Sequence, residues 1–327
     1  MNILILSAGT RNKIVQYFKE AVKGKGKIIA TDCSNLAPAV YDADVFYLVP
    51  RITAPGYLDR ILTICKEEKI DGVFSLIDPE LSLLAKERER FLEIGTTPVI
   101  SPYKLVETCF DKYQMYQMLC EMGIPTGKCY MEKEKFYRAK SEGNIRYPVF
   151  VKPVRGSASL NINQVYSDRE LETLFERYDD LMIQEFMRGQ EYGADVYIDL
   201  LSGKCTSIFL KKKIRMRAGE TDKSVSVKNP ALFELIQNFV EKCGFCGMID
   251  IDLFEQDGTY YLSEVNPRFG GGYPHAYACG VNMPAQMIRN LEGKENPAAI
   301  GEYQEGICMM KYNEIAIVDM NGREIVE

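Results

Sequence analysis

Histidine and long apolar runs are both scarce in this sequence. Its 327 residues include one histidine, His275, which leaves too few parts for a multi-histidine zinc site or a histidine-based catalytic triad. No stretch reaches the ~20 consecutive apolar residues that span a bilayer, and no signal peptide precedes the first strand-like run. The formal net charge of -6 does not favour a nucleic-acid-binding surface. We therefore expect a cytoplasmic protein with neither a membrane nor a nucleic-acid partner.

Cysteine is plentiful, since the chain has ten. Without a secretory signal, we interpret these cysteines as reduced thiols. Cys243 and Cys246 have the spacing of a redox dithiol, but such dithiols begin a helix. Cys243 is predicted to end one, with Gly244 as its cap. Both thiols are therefore predicted to be structural.

The first hundred residues alternate strand-like and helix-like segments. Short apolar runs such as Ile3–Leu6 and Gly72–Ser75 are separated by predicted helices, including Tyr57–Lys69 and Glu80–Phe91. This alternation is typical of a mostly parallel sheet with helices on both faces. A chain of this length should form two or three domains, and Ser101-Pro102 is the first predicted boundary.

Two loops of this first region are candidate ligand sites. Ser7–Asn12 has the position of a dinucleotide-binding fingerprint, but that fingerprint needs three glycines and only Gly9 is present. The loop can still contact an anion through its amides. Asp78-Pro79-Glu80 follows a strand at the end where open sheets bind ligands, although it is equally typical of a helix start.

A predicted hairpin offers a set of oxygen ligands. Met248–Phe254 and Thr259–Val265 flank an Asp-Gly turn, the strongest short-range signal for a β-hairpin. Because side chains alternate along a strand, Asp252 converges with Glu264 and Asn266. Such ligands suit Mg²⁺, which takes its remaining ligands from phosphates and water. The alternative is a surface hairpin with solvated acids.

Two other stretches could bind a nucleotide. Lys152 ends a predicted strand before a loop of small residues, which supplies a cation and free N–H groups for phosphate oxygens; a plain turn is the alternative. Lys112, which starts a helix, is available to a nearby anion. The edge of strand Leu181–Phe186 could bind adenine, and Glu191 further along could accept both ribose hydroxyls.

The last candidates are a cationic run and a glycine run. Lys211–Lys213, Arg215 and Arg217 either neutralise polyphosphate or form a solvated loop. Gly270–Gly272 leaves room for a ligand against the backbone.

Taken in this order and at these separations, the motifs VKPVRGSAS (151–159) and SEVNPR (263–268), with Asp252 between them, resemble those of ATP-grasp proteins. The chain is most similar to the subgroup of the carbamoyl-phosphate synthase large subunit, over essentially its whole length. The resemblance implies an α/β and α+β fold in three parts. These are a Rossmann-like pre-ATP-grasp domain (1–101), an ATP-grasp N-terminal lobe with a phosphate lid (102–180), and a C-terminal lobe with the metal and substrate site (181–327).

The same resemblance implies ATP as the nucleotide. Lys112 and Lys152 would contact its phosphates, and Gln184, where the family commonly has an acid, would lie beside the adenine amino group. Glu185 and Phe186 would contribute backbone contacts. The ribose would be bound by Glu191. The lid would consist of Arg155, Gly156, Ser157, Ala158 and Ser159.

The resemblance also implies the metal, catalytic and substrate residues. Two Mg²⁺ ions are expected, with Mn²⁺ as an alternative, and Glu264 would bridge them. The metal ligands would be Asp252, Glu264 and Asn266. The phosphoryl group would be stabilised by the catalytic residues Arg268, Arg217 and Lys152. Substrate would lie near Glu80, Gly271, Tyr273 and His275.

The implied activity is that of an ATP-dependent carboxylate–amine ligase. A carboxylate and ATP would give an acyl phosphate, which an amine would convert to an amide. The synthase subunit contains two such units and this chain has room for one, so synthesis of carbamoyl phosphate is not expected. The partners would be a small-molecule carboxylate and amine, and a homodimer is suggested. The alternatives are an ATP-binding regulatory or assembly protein without turnover, and an ATP-grasp kinase.

Overall fold

The computed structural model of the protein describes residues 1–156 and 162–319, and this part of the chain contains three β-sheets. The strands of the first sheet are Ile3–Leu6 (β1), Ile28–Asp32 (β2), Val45–Leu48 (β3), Gly72–Ser75 (β4) and Thr97–Pro98 (β5). Its helices are Asn12–Val22 (α1), Tyr57–Glu67 (α2), Asp78–Lys86 (α3) and Arg88–Leu92 (α4). The strands are parallel in the order β3-β2-β1-β4-β5, which confirms the Rossmann-like prediction.

Both faces of the central strand β1 are buried. Ile3 and Ile5 pack in a core that extends to the C-terminal part of the chain, whereas Leu4 and Leu6 pack in a separate core. The prediction of one helix at Glu80–Phe91 is wrong, because Glu87 departs from helical geometry (φ -98°, ψ 17°) and separates α3 from α4. A 3-10 helix, Pro38–Asp42, follows β2.

The second sheet is antiparallel and belongs to a smaller lobe. Its strands are Cys129–Tyr130 (β6), Val149–Pro153 (β7), Asn163–Val165 (β8) and Leu181–Glu185 (β9), in the order β6-β9-β7-β8. The helices of this region are Tyr103–Phe110 (α5), Lys112–Glu121 (α6), Lys133–Ser141 (α7) and Asp168–Arg177 (α8). Only α6 was predicted. Because β9 pairs with β7, the boundary predicted between 180 and 181 falls inside this sheet.

The third sheet is also antiparallel. Its strands are Gln190–Ile198 (β10), Cys205–Arg217 (β11), Glu220–Val227 (β12), Gly247–Gln256 (β13), Thr259–Asn266 (β14) and Cys308–Met310 (β15). Their order is β14-β13-β10-β11-β12-β15, and β13 and β14 form the predicted hairpin. The helices of this lobe are Pro230–Cys243 (α9), Tyr273–Ala278 (α10) and Met283–Leu291 (α11).

One alternative for this lobe is wrong, and one further prediction falls in part outside the described residues. The solvated-loop alternative for Lys211–Arg217 fails because these residues continue β11 and pair with β12, a strand that was not predicted. A terminal pair was expected near 306–319 and 323–326. Residues 320–327 lie outside the described part of the chain, so this pairing stays a prediction; within the described part, β15 pairs with β12 through Lys223–Val225.

All ten cysteines lie in the described ranges and are free. Gly244 caps α9 in the left-handed conformation (φ 76°), as the sequence indicated. Burial raises the pKa of the Cys243 thiol to about 11, which makes it a poor nucleophile. Of the helices that the structure describes, none has the length and apolarity needed to cross a membrane.

Candidate active site

A cavity of about 540 Å³ lies where the three sheets meet. The N-terminal region contributes Arg11 and the segment Leu76–Asp78 to its wall. The smaller lobe contributes residues from β7 and β9, and the six-stranded sheet contributes residues from β10 to β14. Because a ligand here would contact all three regions, the cavity is the candidate active site.

The β13–β14 hairpin places its oxygen ligands opposite one another. Asp252 pairs with Glu264, and Asp250 pairs with Asn266. All four residues line the cavity. Two facing carboxylates and an amide oxygen fit a hard divalent cation. Within the described ranges no three His, Cys, Asp or Glu side chains form a metal-holding group by themselves, so a bound Mg²⁺ would take further ligands from phosphate and water.

A buried lysine joins this hairpin to the candidate ribose residue. Lys213 Nζ lies 2.6 Å from Asp252 Oδ1 and 2.8 Å from Glu191 Oε1. Burial lowers the pKa of Lys213, but Asp252 and Glu191 outweigh it, so the net shift is upward. Lys213 is therefore a cation fixed between the predicted metal and ribose residues.

The path of this lysine depends on a glycine inside β10. Gly193 pairs with Lys211 on one side and with Asp252 on the other. A Cβ on Gly193 would lie 2.9 Å from Lys211 Cε and 3.3 Å from Lys213 Cε. The missing side chain leaves room for both lysines to pass over Gly193, Lys211 to Asp195 on β10 itself and Lys213 to Asp252 on β13. Glycine inside a strand is a sign of such a close approach.

A second buried ion pair lies beside the first. Lys211 contacts Asp195, and both side chains are almost fully buried. Burial raises the pKa of Asp195 even though Lys211 opposes the shift. Asp195 pairs in register with Asp250, whose pKa is raised to about 7 by burial and by the Asp252 carboxylate. The cavity side of this sheet is thus a layer of charged residues.

The candidate phosphate residues lie near one another on the cavity wall, within reach of the Glu264 charge. Lys112 and Lys152 both line it, and Lys112 Nζ donates to the Gly156 carbonyl. Burial lowers the pKa of Lys112. Arg155 lies 3.5 Å from Asp111, which caps α6. The base of the predicted lid therefore packs against the start of α6, while Ser157, Ala158 and Ser159 lie outside the described residues.

The candidate adenine residues are at one end of the cavity. Gln184 and Glu185 line it, together with apolar side chains such as Phe150. Phe186 is absent from the wall and packs against the Phe150 ring with centroids 5.2 Å apart. Glu191 also lines the cavity, and burial raises its pKa in spite of Lys213.

Arg268 is held by a residue of the N-terminal region. Its Nε lies 2.8 Å from Asp78 Oδ1, and its Nη2 lies 3.1 Å from Asp78 Oδ2. Both side chains are mostly buried and both residues line the cavity. Burial by itself lowers the pKa of Arg268. The Asp78 carboxylate, together with Asp250 and Glu264, outweighs burial, so the net shift of the pKa is upward. A bidentate pair of this kind fixes the plane of the guanidinium.

Besides Phe186, four predicted site residues within the described ranges are not on the cavity wall. Arg217 lies 2.9 Å from Asp222 and outside the lining. Glu80 is fully buried and accepts hydrogen bonds from Tyr57 and Ser75. The two others, Tyr273 and His275, are buried in helix α10. The structure therefore does not support direct contact between these four residues and a ligand in the cavity, because each already has partners inside the protein.

The glycine run is occupied by side chains of the protein. A Cβ on Gly270 would lie 2.4 Å from Asp250, and one on Gly271 would lie 2.6 Å from Glu220. Gly271 also borders Arg11, whose Nη2 lies 2.7 Å from Glu220 Oε1. The space expected for a ligand is in part filled by these charged groups. Arg11 belongs to the Ser7–Asn12 loop predicted as an anion site, but its pairing with Glu220, the first residue of β12, was not predicted, since the two are far apart in the sequence.

Comparisons with known proteins agree with this geometry. A family model described as an ATP-grasp domain matches residues 109–272, and one described as a PylC-like N-terminal domain matches residues 3–100. A carbamoyl-phosphate synthase of Methanobrevibacter smithii is 24% identical and aligns with 100% of this chain and 89% of its own length. The VanB vancomycin resistance protein of Enterococcus faecalis is 29% identical over 72% of this chain and 78% of its own length.

Other relatives are much longer than this chain. The arginine-specific large chain of carbamoyl phosphate synthase from Bacillus subtilis is 24% identical, and the alignment spans 85% of this chain but 28% of that protein. The corresponding Geobacillus stearothermophilus protein is 23% identical over 79% of this chain and 26% of its own length. The chain thus spans about a quarter of these large chains.

Solved structures share the fold. The biotin carboxylase domain of Hydrogenobacter thermophilus 2-oxoglutarate carboxylase superposes with a TM-score of 0.74 at 17% identity, covering 94% of this chain and 73% of that one. N5-carboxyaminoimidazole synthetase from Staphylococcus aureus gives 0.72 at 16% identity, covering 91% and 78%. The chain belongs to the ATP-grasp family. The predicted ATP-grasp family and fold are thereby confirmed.

Proposed function

We propose that the protein is an ADP-forming carboxylate–amine ligase. The observation that carries this proposal is the composition of one cavity wall. It combines two lysines for phosphates, two facing carboxylates for a divalent metal, and an arginine for the transferred group; these residues are Lys112, Lys152, Asp252, Glu264 and Arg268. Phosphoryl transfer depends on such positioning and charge neutralisation more than on a protein nucleophile.

ATP would bind along the cavity with its adenine beside Gln184 and Glu185. Gln184 offers an amide oxygen that can accept from the adenine amino group. Glu191 is a candidate for the ribose hydroxyls, although its carboxylate already accepts from Lys213. Lys112 and Lys152 would then lie beside the phosphates, and Lys152 is also a candidate for the group in transfer.

Asp252, Glu264 and Asn266 are the residues that would hold Mg²⁺. We infer two ions, with Mn²⁺ as an alternative metal, because a carboxylate has two oxygens and could serve as a ligand to both ions. When bound, the metal neutralises negative charge on the phosphates. Because Lys213 pairs with Asp252, this carboxylate would be shared between a protein cation and the metal.

The reaction proposed has two chemical steps. An oxygen of the carboxylate substrate attacks the γ-phosphorus of ATP, the bond to the bridging oxygen breaks, and ADP leaves. The nitrogen of the amine then attacks the acyl carbon, phosphate leaves with the bond electrons, and the amine proton is released. Arg268 would stabilise charge on the transferred group. The base of the lid, Arg155 and Gly156, would exclude water and so protect the acyl phosphate from hydrolysis.

The test is ADP and phosphate release from Mg²⁺-ATP with pooled small carboxylates, with and without pooled amines. Wild type is compared with Glu264→Gln. Glu255→Gln is the matched control, because Glu255 lies on the same hairpin but outside the cavity wall. Turnover that needs both pools, that is lost in Glu264→Gln and kept in Glu255→Gln is the expected result.

Two outcomes would contradict the proposal. Release of a stable phosphorylated product without an amine would instead indicate a kinase. Tight ATP binding without turnover in any pool, and with no metal dependence, would favour an ATP-binding regulatory protein. Cytoplasmic location and a homodimer stay predictions.

A further inference from the structure

We infer that Asp78 is a positioning residue for phosphoryl transfer and that it acts through Arg268. The inference rests on the proposed function, because that proposal assigns Arg268 to the transferred group. It adds that the N-terminal region supplies part of the catalytic geometry. Asp78 begins helix α3 of that region, whereas Arg268 follows the metal-binding hairpin of the C-terminal lobe.

The hydrogen bonds of Arg268 support this role. Its Nε and Nη2 donate to the two Asp78 oxygens, Nη2 also donates to Asn266 Oδ1, and Nη1 donates to the Phe269 carbonyl. A guanidinium has five N–H groups, so one Nη1 N–H has no partner within residues 1–156 and 162–319. Arg268 is thus fixed before ligand binds, and one donor is left for a ligand oxygen.

The surroundings explain why a dedicated acid is needed. Asp250 and Glu264 also act on the Arg268 charge, but they lie on the hairpin that is proposed to serve the metal. Without Asp78, the guanidinium would turn toward those carboxylates and compete with Mg²⁺. Asp78 comes from a different part of the fold and leaves the hairpin acids free. A preorganised donor stabilises developing charge without reorganising during the reaction.

The test uses the full chain with MgADP and aluminium fluoride, which together mimic the group in transfer, so no substrate has to be known. Calorimetry measures MgADP affinity with and without aluminium fluoride. Wild type should bind MgADP at least ~10-fold more tightly when aluminium fluoride is present, because Arg268 favours the transition state. Asp78→Asn should keep its MgADP affinity within about threefold but lose that enhancement. A misplaced catalytic group costs on the order of 100-fold in stabilisation of the transition state.

A double-variant cycle separates positioning from general stability. Arg268→Lys should also lose the enhancement, and Asp78→Asn with Arg268→Lys should be no worse than Arg268→Lys alone, because both changes remove the same contact. Asp222→Asn is the matched control, since Asp222 is a buried acid paired with Arg217 outside the cavity. It should keep the full enhancement. If Asp78→Asn fails to fold, Asp78→Glu keeps the charge but moves the carboxylate, and should still lose most of the enhancement.

Two results would overturn different parts of the account. An enhancement that survives in Asp78→Asn or Asp78→Glu, but is lost in Arg268→Lys, would contradict the role of Asp78 alone. Wild type that binds MgADP without any enhancement, or keeps it in Arg268→Lys, would contradict the proposed function as well.

Discussion

The N-terminal parallel sheet and the six-stranded antiparallel sheet bury very different side chains. In β1 every residue from Ile3 to Leu6 is apolar and buried. In β10 and β11 the buried residues include Asp195, Lys211 and Lys213. The parallel sheet is covered on both faces by apolar cores. One face of the antiparallel sheet is apolar, and the other carries the charges of the cavity.

The difference separates folding from function within one chain. Apolar burial is non-directional and tolerates local change, while buried charges need specific partners. The charged layer is therefore expected to set what the protein binds. The parallel sheet supports that layer and contributes Arg11 and Asp78, which lie at the starts of helices α1 and α3. Four changes, taken from the largest expected effect to the smallest, would break or sharpen this contrast.

Phe74→Ala removes a ring from the apolar region. Phe74 is fully buried on β4, with its ring centroid 4.8 Å from Phe18 and 5.7 Å from Phe269. The free energy of unfolding should fall by about 3–5 kcal/mol, because the change leaves a cavity. Urea unfolding measures it. MgADP affinity of the folded fraction should not change, because Phe74 is not on the cavity wall.

Phe46→Ala is the control for that change, since Phe46 is exposed on the edge strand β3. It should cost no more than about 0.5 kcal/mol. A loss below about 1 kcal/mol for Phe74→Ala would contradict the view that this region stores stability in apolar packing.

Lys211→Met tests the charged layer. The change leaves Asp195 buried without its cation, which should cost about 3 kcal/mol of unfolding free energy. Adding Asp195→Leu should recover most of that loss, because an apolar pair can replace a buried ion pair. Chemical unfolding of both variants measures this. A double variant with a lower free energy of unfolding than the single variant would contradict this expectation and show that the charges themselves stabilise the fold.

Gly193→Ala tests how the lysines reach their acids. The added Cβ would lie 2.9 Å from Lys211 Cε, and that side chain is held by its ion pair. We expect a loss of about 1–3 kcal/mol and weaker MgADP binding, because Lys213 is displaced from Asp252 and Glu191. Thermal unfolding and calorimetry measure the two effects. Gly127→Ala is the control, since the nearest atom there is 3.4 Å away; an equal effect at both sites would contradict the explanation.

His275 gives the smallest effect, a dependence of stability on pH. Burial and the Lys211 charge lower the pKa of His275 to about 4, from an ordinary value near 6.5. Because the folded pKa is the lower one, the stabilisation is complete above pH 6.5 and is lost as pH falls toward 4. We expect a loss of about 1–2 kcal/mol between pH 6.5 and about pH 5. His275→Asn should flatten the curve of unfolding free energy against pH, and an unchanged slope would contradict the assignment.

Local patterns predicted the regular parts of the molecule well. The apolar runs of the first domain and the Asp-Gly turn of the β13–β14 hairpin are signals that a few neighbouring residues carry. The helix Asp168–Arg177 also had such a signal, since Ser167 caps it by accepting from the Glu170 amide, but it was overlooked.

The cavity wall was harder to predict, because its contacts join distant parts of the chain. Asp78 and Arg268 are 190 residues apart, and their pairing follows from how the lobes pack. The buried state of Lys211 and Lys213 could not be read from a cationic run, which is more often solvated. Gly193 was the one local sign that side chains pass close to the backbone of that strand.

The most direct test of the central claim is the fate of the carboxylate oxygen. A carboxylate substrate from the active pool, labelled with ¹⁸O, is converted with Mg²⁺-ATP and the amine, and the released phosphate is analysed by mass spectrometry. Acyl phosphate formation predicts that one labelled oxygen passes to phosphate in each turnover. Unlabelled phosphate, with amide product formed at the same rate, would contradict the proposed reaction.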